Sequence, residues 1–212
     1  MQDDSGFKRV LSFAWAYKLF QVMIGSRKGK TWISEHFWRL QPGQKVVDIG
    51  CGPGNAIPYI PGGVHYVGFD ISPEYIAHAR DKHAGDAGKA FLVGQAEDFL
   101  AELPAEMRGA DLVMINGVMH HLEDDEATTA LRLAYASLAP GGRLVCVEPC
   151  FLLRQAPISH WLVSRDRGRN VRLEPEWKAL VRRVFDDFET NILTGHIRIP
   201  YTHVVIEATK PH

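Results

Sequence analysis

The chain has 212 residues, of which 46% are hydrophobic and 23% are charged, and its formal net charge is -1. This composition is typical of one globular domain and excludes a disordered or fibrous protein. Without an overall positive charge, DNA is not expected as a partner. The early apolar stretch 10–24 is interrupted by Lys18 and Gln21 and is shorter than a membrane span, which argues against stable membrane insertion.

The sequence predicts a cytoplasmic location. The N-terminus is acidic rather than basic, and no small-residue cleavage site follows an apolar block. Cys51, Cys146 and Cys150 have no spacing typical of a zinc site or of a disulfide framework. We therefore expect three reduced thiols.

The first predicted elements are helices. Hydrophobic residues recur every three or four positions over residues 7–24, a pattern that predicts an amphipathic helix. A basic turn at 27–30 and a shorter helix that ends near Leu40 are predicted to follow. We interpret residues 1–40 as a helical lid and residues 41–212 as the main domain.

From residue 45 onward, predicted strands alternate with predicted helices. Helices are expected to begin at Ser72, at Asp124 or Asp125, and at Glu176. Strands are predicted at residues 45–49, 64–69, 90–93, 111–115, 144–147, 190–193 and 203–208. This alternation predicts an α/β fold with a doubly wound, mainly parallel sheet, in which ligands bind beyond the carboxyl ends of the strands.

A glycine-rich loop follows the first predicted strand. Gly50, Gly52 and Gly54 alternate with other residues, so the backbone can turn sharply and a ligand can approach it closely. Asp48 precedes the loop, where a carboxylate would oppose a pyrophosphate but suits a cationic amino or sulfonium group. Asp70 ends the second predicted strand, where an acid can accept hydrogen bonds from ribose hydroxyls. Its alternative role is to cap the helix that follows.

Three features resemble the class I S-adenosylmethionine (SAM)-dependent methyltransferase family in their order and spacing. They are the segment Asp48–Gly54, Asp70 at a strand end, and Leu138–Gly142 before the fifth strand. The resemblance covers about residues 30–212. It implies a Rossmann-like fold with a seven-stranded, mainly parallel sheet whose last strand is antiparallel. It also implies SAM as the cofactor.

The resemblance further implies which residues contact the cofactor. Asp48 would lie near the methionine amino group, and Asp70 would bind the ribose hydroxyls. Gln95 replaces an acid that the family often uses for the adenine amino group, and its side-chain carbonyl can still accept from that group. The expected cofactor-binding residues are Asp48, Gly50, Cys51, Gly52, Gly54, Asp70, Ile71, Gln95, Ala96, Glu97 and Asn116, with Tyr17 of the lid as a further contact.

The loop after the fourth strand carries His120 and His121. In small-molecule members of the family that it resembles, this loop faces the sulfonium methyl. A base is needed when the acceptor carries a proton with a high pKa, and His suits that task near pH 7. We therefore expect His120 first and His121 second as catalytic residues, with local packing or capping as the alternative. No metal is expected here, because adjacent residues rarely converge on one ion and Asp124 and Asp125 are expected to cap a helix.

Residues 151–175 are expected to cover the acceptor. Residues 151–183 carry five more basic than acidic side chains. Arg165, Arg167 and Arg169 are expected to bind an acceptor carboxylate or phosphate, since guanidinium groups suit such anions. A solvated loop or a protein-binding surface is the alternative.

Together these features predict an enzyme that transfers a methyl group from SAM to O, N or C of a small molecule, with a preference for an anionic one. The alternatives are an RNA or protein methyltransferase and a SAM-binding partner protein without catalysis. An NAD-dependent oxidoreductase is disfavoured, because the glycine spacing differs and no Tyr-x-x-x-Lys pair is present. Neither the acceptor nor the oligomeric state follows from the sequence.

Overall fold

The computed structural model describes residues 26–165, 168–195 and 199–212. The predicted helix 7–24 lies outside the described residues, and so do Tyr17 and most of the predicted lid.

The described chain begins with helix α1 (Ser26–Ile33), which continues into a π-helical turn (Ser34–Trp38). The basic residues predicted to form a turn are therefore helical. The helix forms because its apolar side packs: Phe37 and Trp38 are buried against the sheet. Arg143 donates hydrogen bonds to the carbonyl oxygens of both residues, at 3.1 and 2.8 Å, which ties this segment to the sheet.

Within the described residues, all strands belong to one sheet. Its main path has the order β3-β2-β1-β4-β5-β8-β7, and a two-residue strand, β6, pairs with the end of β5. The strands are β1 (Lys45–Ile49), β2 (His65–Asp70), β3 (Lys89–Val93), β4 (Ala110–Asn116), β5 (Leu138–Phe151), β6 (Arg172–Leu173), β7 (Phe188–Leu193) and β8 (His203–Thr209). The strands β1 to β5 are parallel, whereas β8 is antiparallel to β5 and β7. The predicted doubly wound, mainly parallel sheet with an antiparallel last strand is confirmed.

The remaining helices connect these strands. They are α2 (Pro73–Lys82), α3 (Ala96–Ala101), α4 (Asp124–Ser137), α5 (Pro157–Val163) and α6 (Glu174–Val181). The predicted N-cap of α2 is confirmed, because Ser72 Oγ accepts from the backbone N–H of Tyr75. The prediction that Asp124 or Asp125 caps α4 is wrong. Glu123 is the N-cap, and its backbone N–H donates to the Glu126 carboxylate at 2.8 Å.

The sheet is buried on both faces. Alternate residues of β1 point to opposite sides, so Val46 packs with Trp38 and Tyr66, whereas Val47 packs in the cluster that contains Leu131. This burial leaves the carboxyl ends of the strands as the edge where polar side chains can meet a ligand. Within the described ranges, no helix is both long and apolar enough to cross a membrane.

Candidate functional site

The glycine loop lies at the carboxyl end of β1. Its three glycines have φ values of 72°, 54° and 76°, a left-handed conformation that favours glycine. The backbone N–H groups of Gly50 and Cys51 both donate to the carbonyl oxygen of Phe69 at 2.9 Å. A Cβ on Gly50 would lie 2.5 Å from Val118 Cγ2, whereas a Cβ on Gly52 would have nothing within 4 Å. The loop therefore packs inward at its first glycine and faces open space at its second.

Asp70 connects this loop to the neighbouring strand. Its Oδ2 accepts from the backbone N–H of Gly52 and its Oδ1 from that of Ser72, both at 2.9 Å. Each carboxylate oxygen has a second lone pair that can accept from a hydroxyl group. The next residue, Ile71, is 66% exposed although it is large and hydrophobic. Asp70 thus supports the start of α2 as well as the glycine loop, and an apolar surface lies beside it.

The predicted adenine-side residues lie at the same edge. β3 pairs with β2, and the backbone N–H of Gly94 donates to the Asp70 carbonyl oxygen at 3.2 Å. Gln95 is exposed and precedes α3, whose first residues are Ala96 and Glu97. The topology therefore brings these three residues close to Asp70, and their contacts with a cofactor stay predictions.

Asp48 is buried below the loop, with 3% of its surface exposed. Tyr66 Oη donates to Asp48 Oδ2 at 2.6 Å. Burial raises the pKa of Asp48 to about 7, although the Tyr66 hydrogen bond acts in the opposite direction. Lys30 of α1 interacts electrostatically with this carboxylate, and burial lowers the pKa of the Lys30 ammonium. The site thus contains a carboxyl group that titrates near neutral pH, with a partly buried cation on one side.

The surroundings of Cys51 and Asn116, two predicted cofactor contacts, indicate different roles for their side chains. Cys51 is buried, and a Cβ on Gly68 would lie 2.8 Å from its sulfur. Burial raises the pKa of this thiol far above its usual value, so the side chain packs rather than reacts. Asn116 ends β4, and its buried Nδ2 has no hydrogen-bond partner among the described residues. This amide is a donor at the edge where a ligand is expected.

The loop after β4 is organised by Glu148, a fully buried residue of β5. One carboxylate oxygen accepts from the backbone N–H groups of Val118 and Met119, at 3.0 and 2.9 Å. The other accepts from the backbone N–H of His120 at 3.3 Å and lies 2.6 Å from His120 Nδ1. His120 is buried, whereas His121 is exposed, and their ring centroids are 4.0 Å apart.

Arg172 of β6 also holds this loop. Its buried guanidinium donates to the carbonyl oxygens of Met119, Leu122 and Asn170, at 2.9 to 3.0 Å. It also donates two hydrogen bonds to Asp124 Oδ1, at 3.0 and 2.9 Å. Asp124 is therefore an ion-pair partner instead of the predicted helix cap.

The arginines predicted to bind the acceptor are only partly described. Arg165 is exposed, and its guanidinium lies 4.5 Å from the centroid of the Trp161 ring. Arg169 is also exposed. Arg167 lies outside the described residues. No group of three or more His, Cys, Asp or Glu side chains in the described part of the chain is arranged to hold a metal.

Comparison with known proteins shows which family the chain is similar to. A family model described as "Methyltransferase domain" matches residues 46–142. The chain is 32% identical over 126 residues to carboxy-S-adenosyl-L-methionine synthase of Escherichia coli, a match that covers 55% of this chain and 47% of that protein. Over residues 46–142 the chain therefore carries a match to a methyltransferase domain, and it is similar to the class I SAM-dependent methyltransferase family. It spans about half the length of this curated relative.

Solved structures share the methyltransferase fold. A TehB-like SAM-dependent methyltransferase of Corynebacterium glutamicum has a TM-score of 0.63 and 18% identity, with 95% of this chain and all of that chain covered. Human N-acetylserotonin methyltransferase, solved in complex with SAM, has a TM-score of 0.64 and 23% identity, with 87% of this chain and 52% of that chain covered. At these identities the likeness concerns the fold.

Three residues of the candidate site could not be singled out from the sequence. Glu148 lies beyond the predicted end of the fifth strand, and its only signal was an acid that directly follows an apolar run. Lys30 and Arg172 stood among other basic residues in the sequence, with nothing local to distinguish them. All three act through contacts with residues far away in the chain.

Proposed function

We propose that the chain binds SAM and transfers its methyl group to a small molecule. The observation that carries the proposal is Asp70, which accepts a hydrogen bond from the open glycine of the loop and stands beside an exposed apolar side chain, Ile71. This combination suits a ribose that connects to an adenine. When bound, SAM supplies a methyl group on a positively charged sulfur, which is a good leaving group.

The donor and acceptor groups at this edge fit SAM. Asp48 would accept hydrogen bonds from the amino group of the methionine part of SAM. Lys30 would supply a positive charge toward the carboxylate of that methionine part. Asn116 offers an amide donor that has no hydrogen-bond partner among the described residues. Gln95 would accept from the adenine amino group. These roles rest on charge and hydrogen-bonding complementarity.

In this proposal His120 is the base. Its ring would take the proton of an acceptor X–H, so that the acceptor can displace SAH from the methyl carbon that bound SAM would supply. The proton stays on His120, next to the Glu148 carboxylate, which is fully buried and well placed to stabilise the charged ring. His121 is exposed beside it and would contact the acceptor.

The acceptor is proposed to be small and anionic, with residues 151–175 as its cover and residues 1–40 as the lid on the opposite side. Within this cover, Arg172 is used in an ion pair with Asp124. Arg165 and Arg169 are exposed cations of this segment that can meet an anionic group.

The cofactor part of the proposal is tested by calorimetric titration with SAM, S-adenosylhomocysteine (SAH) and NAD. We expect SAM and SAH to bind and NAD not to bind, and binding of NAD alone would contradict the proposal. The acceptor part is tested with SAM labelled on its methyl group, added to a cell lysate that is separated into small molecules, RNA and protein. We expect label in the small molecules; label only in RNA or protein would assign the acceptor to a different class.

A further inference from the structure

Glu148 has an unusual set of partners for a residue of a central strand. Its carboxylate is fully buried, and the donors around it are three consecutive backbone N–H groups and one ring nitrogen. A buried carboxylate requires such compensation, because it loses its hydration. All four donors belong to the loop that carries His120, so one acid of β5 determines both the path of that loop and the surroundings of the ring.

The hydrogen-bond chemistry of this pair selects one form of the ring. An ionised carboxylate can only accept hydrogen bonds, so the group that faces it at 2.6 Å must donate. The neutral His120 ring must therefore carry its proton on Nδ1, and its Nε2 becomes the nitrogen with the lone pair. We propose that Glu148 is a positioning residue that holds His120 in the tautomer whose Nε2 accepts the proton of the methyl acceptor. This inference rests on the proposed function.

Backbone segments on both sides of His120 lie close to its ring and to its carbonyl group. A Cβ on Gly168 would lie 2.0 Å from His120 Cδ2, and a Cβ on Gly117 would lie 3.7 Å from His120 Cε1. The backbone N–H of Asn170 donates to the His120 carbonyl oxygen at 2.9 Å. The two glycines thus lie near Cδ2 and Cε1, the two carbon atoms that flank Nε2, while Glu148 engages Nδ1.

The inference is tested by the protonation of the ring, which can be measured before any acceptor is known. Long-range proton–nitrogen correlation spectra of the histidine-labelled full chain report which ring nitrogen carries the proton, and the His120→Asn variant assigns the signal. In the unmodified protein at a pH where the ring is neutral, we expect the Nδ1-protonated form to be preferred by at least about tenfold, as a hydrogen bond to a charged group implies. Predominance of the Nε2-protonated form would overturn the inference.

Variants at Glu148 separate positioning from simple packing. Glu148→Gln keeps the size of the side chain but removes the charge, and we expect the preference for the Nδ1-protonated form to be lost. Glu148→Asp keeps the charge and should restore part of that preference. Glu207→Gln is the matched control, because Glu207 is an acid of β8 that pairs with Arg39 and Arg143 instead; the tautomer should not change. An unchanged tautomer in Glu148→Gln would reduce Glu148 to a packing role.

SAH titration of the same samples distinguishes this inference from the proposed function. If SAH binds and the ring has the other tautomer, the positioning role is wrong and the proposed function stands. If SAH does not bind, the proposed function fails, whatever the tautomer.

Discussion

The proposed cofactor side and the proposed acceptor side of the site, called below the cofactor side and the acceptor side, are built in different ways. On the cofactor side, the glycine loop and Asp70 are shaped by left-handed backbone conformations and by short hydrogen bonds between adjacent strand ends. On the acceptor side, the loop after β4 is held by the side chains of Glu148 and Arg172, which come from distant parts of the chain. The cofactor side therefore depends on the backbone conformation of the glycines and on hydrogen bonds of a strand-end acid. The acceptor side depends on charged side chains that are distant in the sequence.

This difference has a consequence for mutation. Changes on the cofactor side should act through backbone strain and ligand contacts. Changes on the acceptor side should instead remove the long-range contacts that hold the loop after β4 in place. Variants on each side can therefore sharpen or contradict this contrast.

The largest effect is expected for Gly50→Ala. The added Cβ would meet Val118 at 2.5 Å, and the residue would also keep a left-handed φ of 72°. We expect a loss of about 3–4 kcal/mol in the free energy of unfolding, measured with urea. Gly52→Ala is the matched control: it has a similar φ but open space, so about 1 kcal/mol is expected. Equal costs for the two variants would contradict the packing of the loop on Val118.

The next effect is a pH dependence caused by Asp48. Its pKa in the folded protein, about 7, lies above the ordinary value of 3.8, so the folded state binds this proton more tightly than the unfolded state. The stability that it contributes is present below about pH 4 and is lost as the pH rises toward 7. Between pH 5 and pH 8, the wild type should lose about 2–3 kcal/mol more than the Asp48→Asn variant. If urea unfolding gives parallel pH profiles for the wild type and Asp48→Asn, ionisation of Asp48 does not lower the free energy of unfolding, and the prediction is contradicted.

Removal of Arg172 should destabilise the acceptor side. Arg172→Met keeps much of the side-chain volume but leaves three carbonyl oxygens and Asp124 Oδ1 without the donor that they share, while Arg183 still donates to Asp124 Oδ2. We expect a loss of about 2–3 kcal/mol in urea unfolding. Arg169→Ala, which changes an exposed arginine of the same segment, should cost less than about 0.5 kcal/mol. A similar cost for both would mean that Arg172 does not hold the loop.

The same contrast explains which features of the fold and of the candidate site could be predicted from the sequence. The sheet, the glycine loop and the role of Ser72 as a helix cap were predictable, because hydrophobic alternation, Gly spacing and Ser-Pro signals are local. The N-cap Glu123 was missed because Asp is the stronger local signal, although the charge of Asp124 is used by Arg172. Glu148 was missed because β5 extends to Phe151, well beyond its apolar run.

Some expectations have no structural description. The lid over residues 1–40 was predicted from a helical pattern of which residues 1–25 lie outside the described ranges, as does Arg167. The cofactor and acceptor contacts of the described residues remain predictions, and they depend on ligands rather than on the fold.

The central claim is that the cofactor is bound on the Asp70 side and that His120 serves chemistry rather than cofactor binding. The most direct test is calorimetric titration of SAH into Asp70→Ala and His120→Ala. Asp111→Ala is the matched control, because this acid also accepts a backbone N–H, from Lys45 at 2.7 Å, but at the opposite edge of the sheet. We expect Asp70→Ala to weaken SAH binding by about 1–3 kcal/mol and the other two variants to bind as the wild type does. Unchanged affinity in Asp70→Ala, or an equal loss in His120→Ala, would contradict the account.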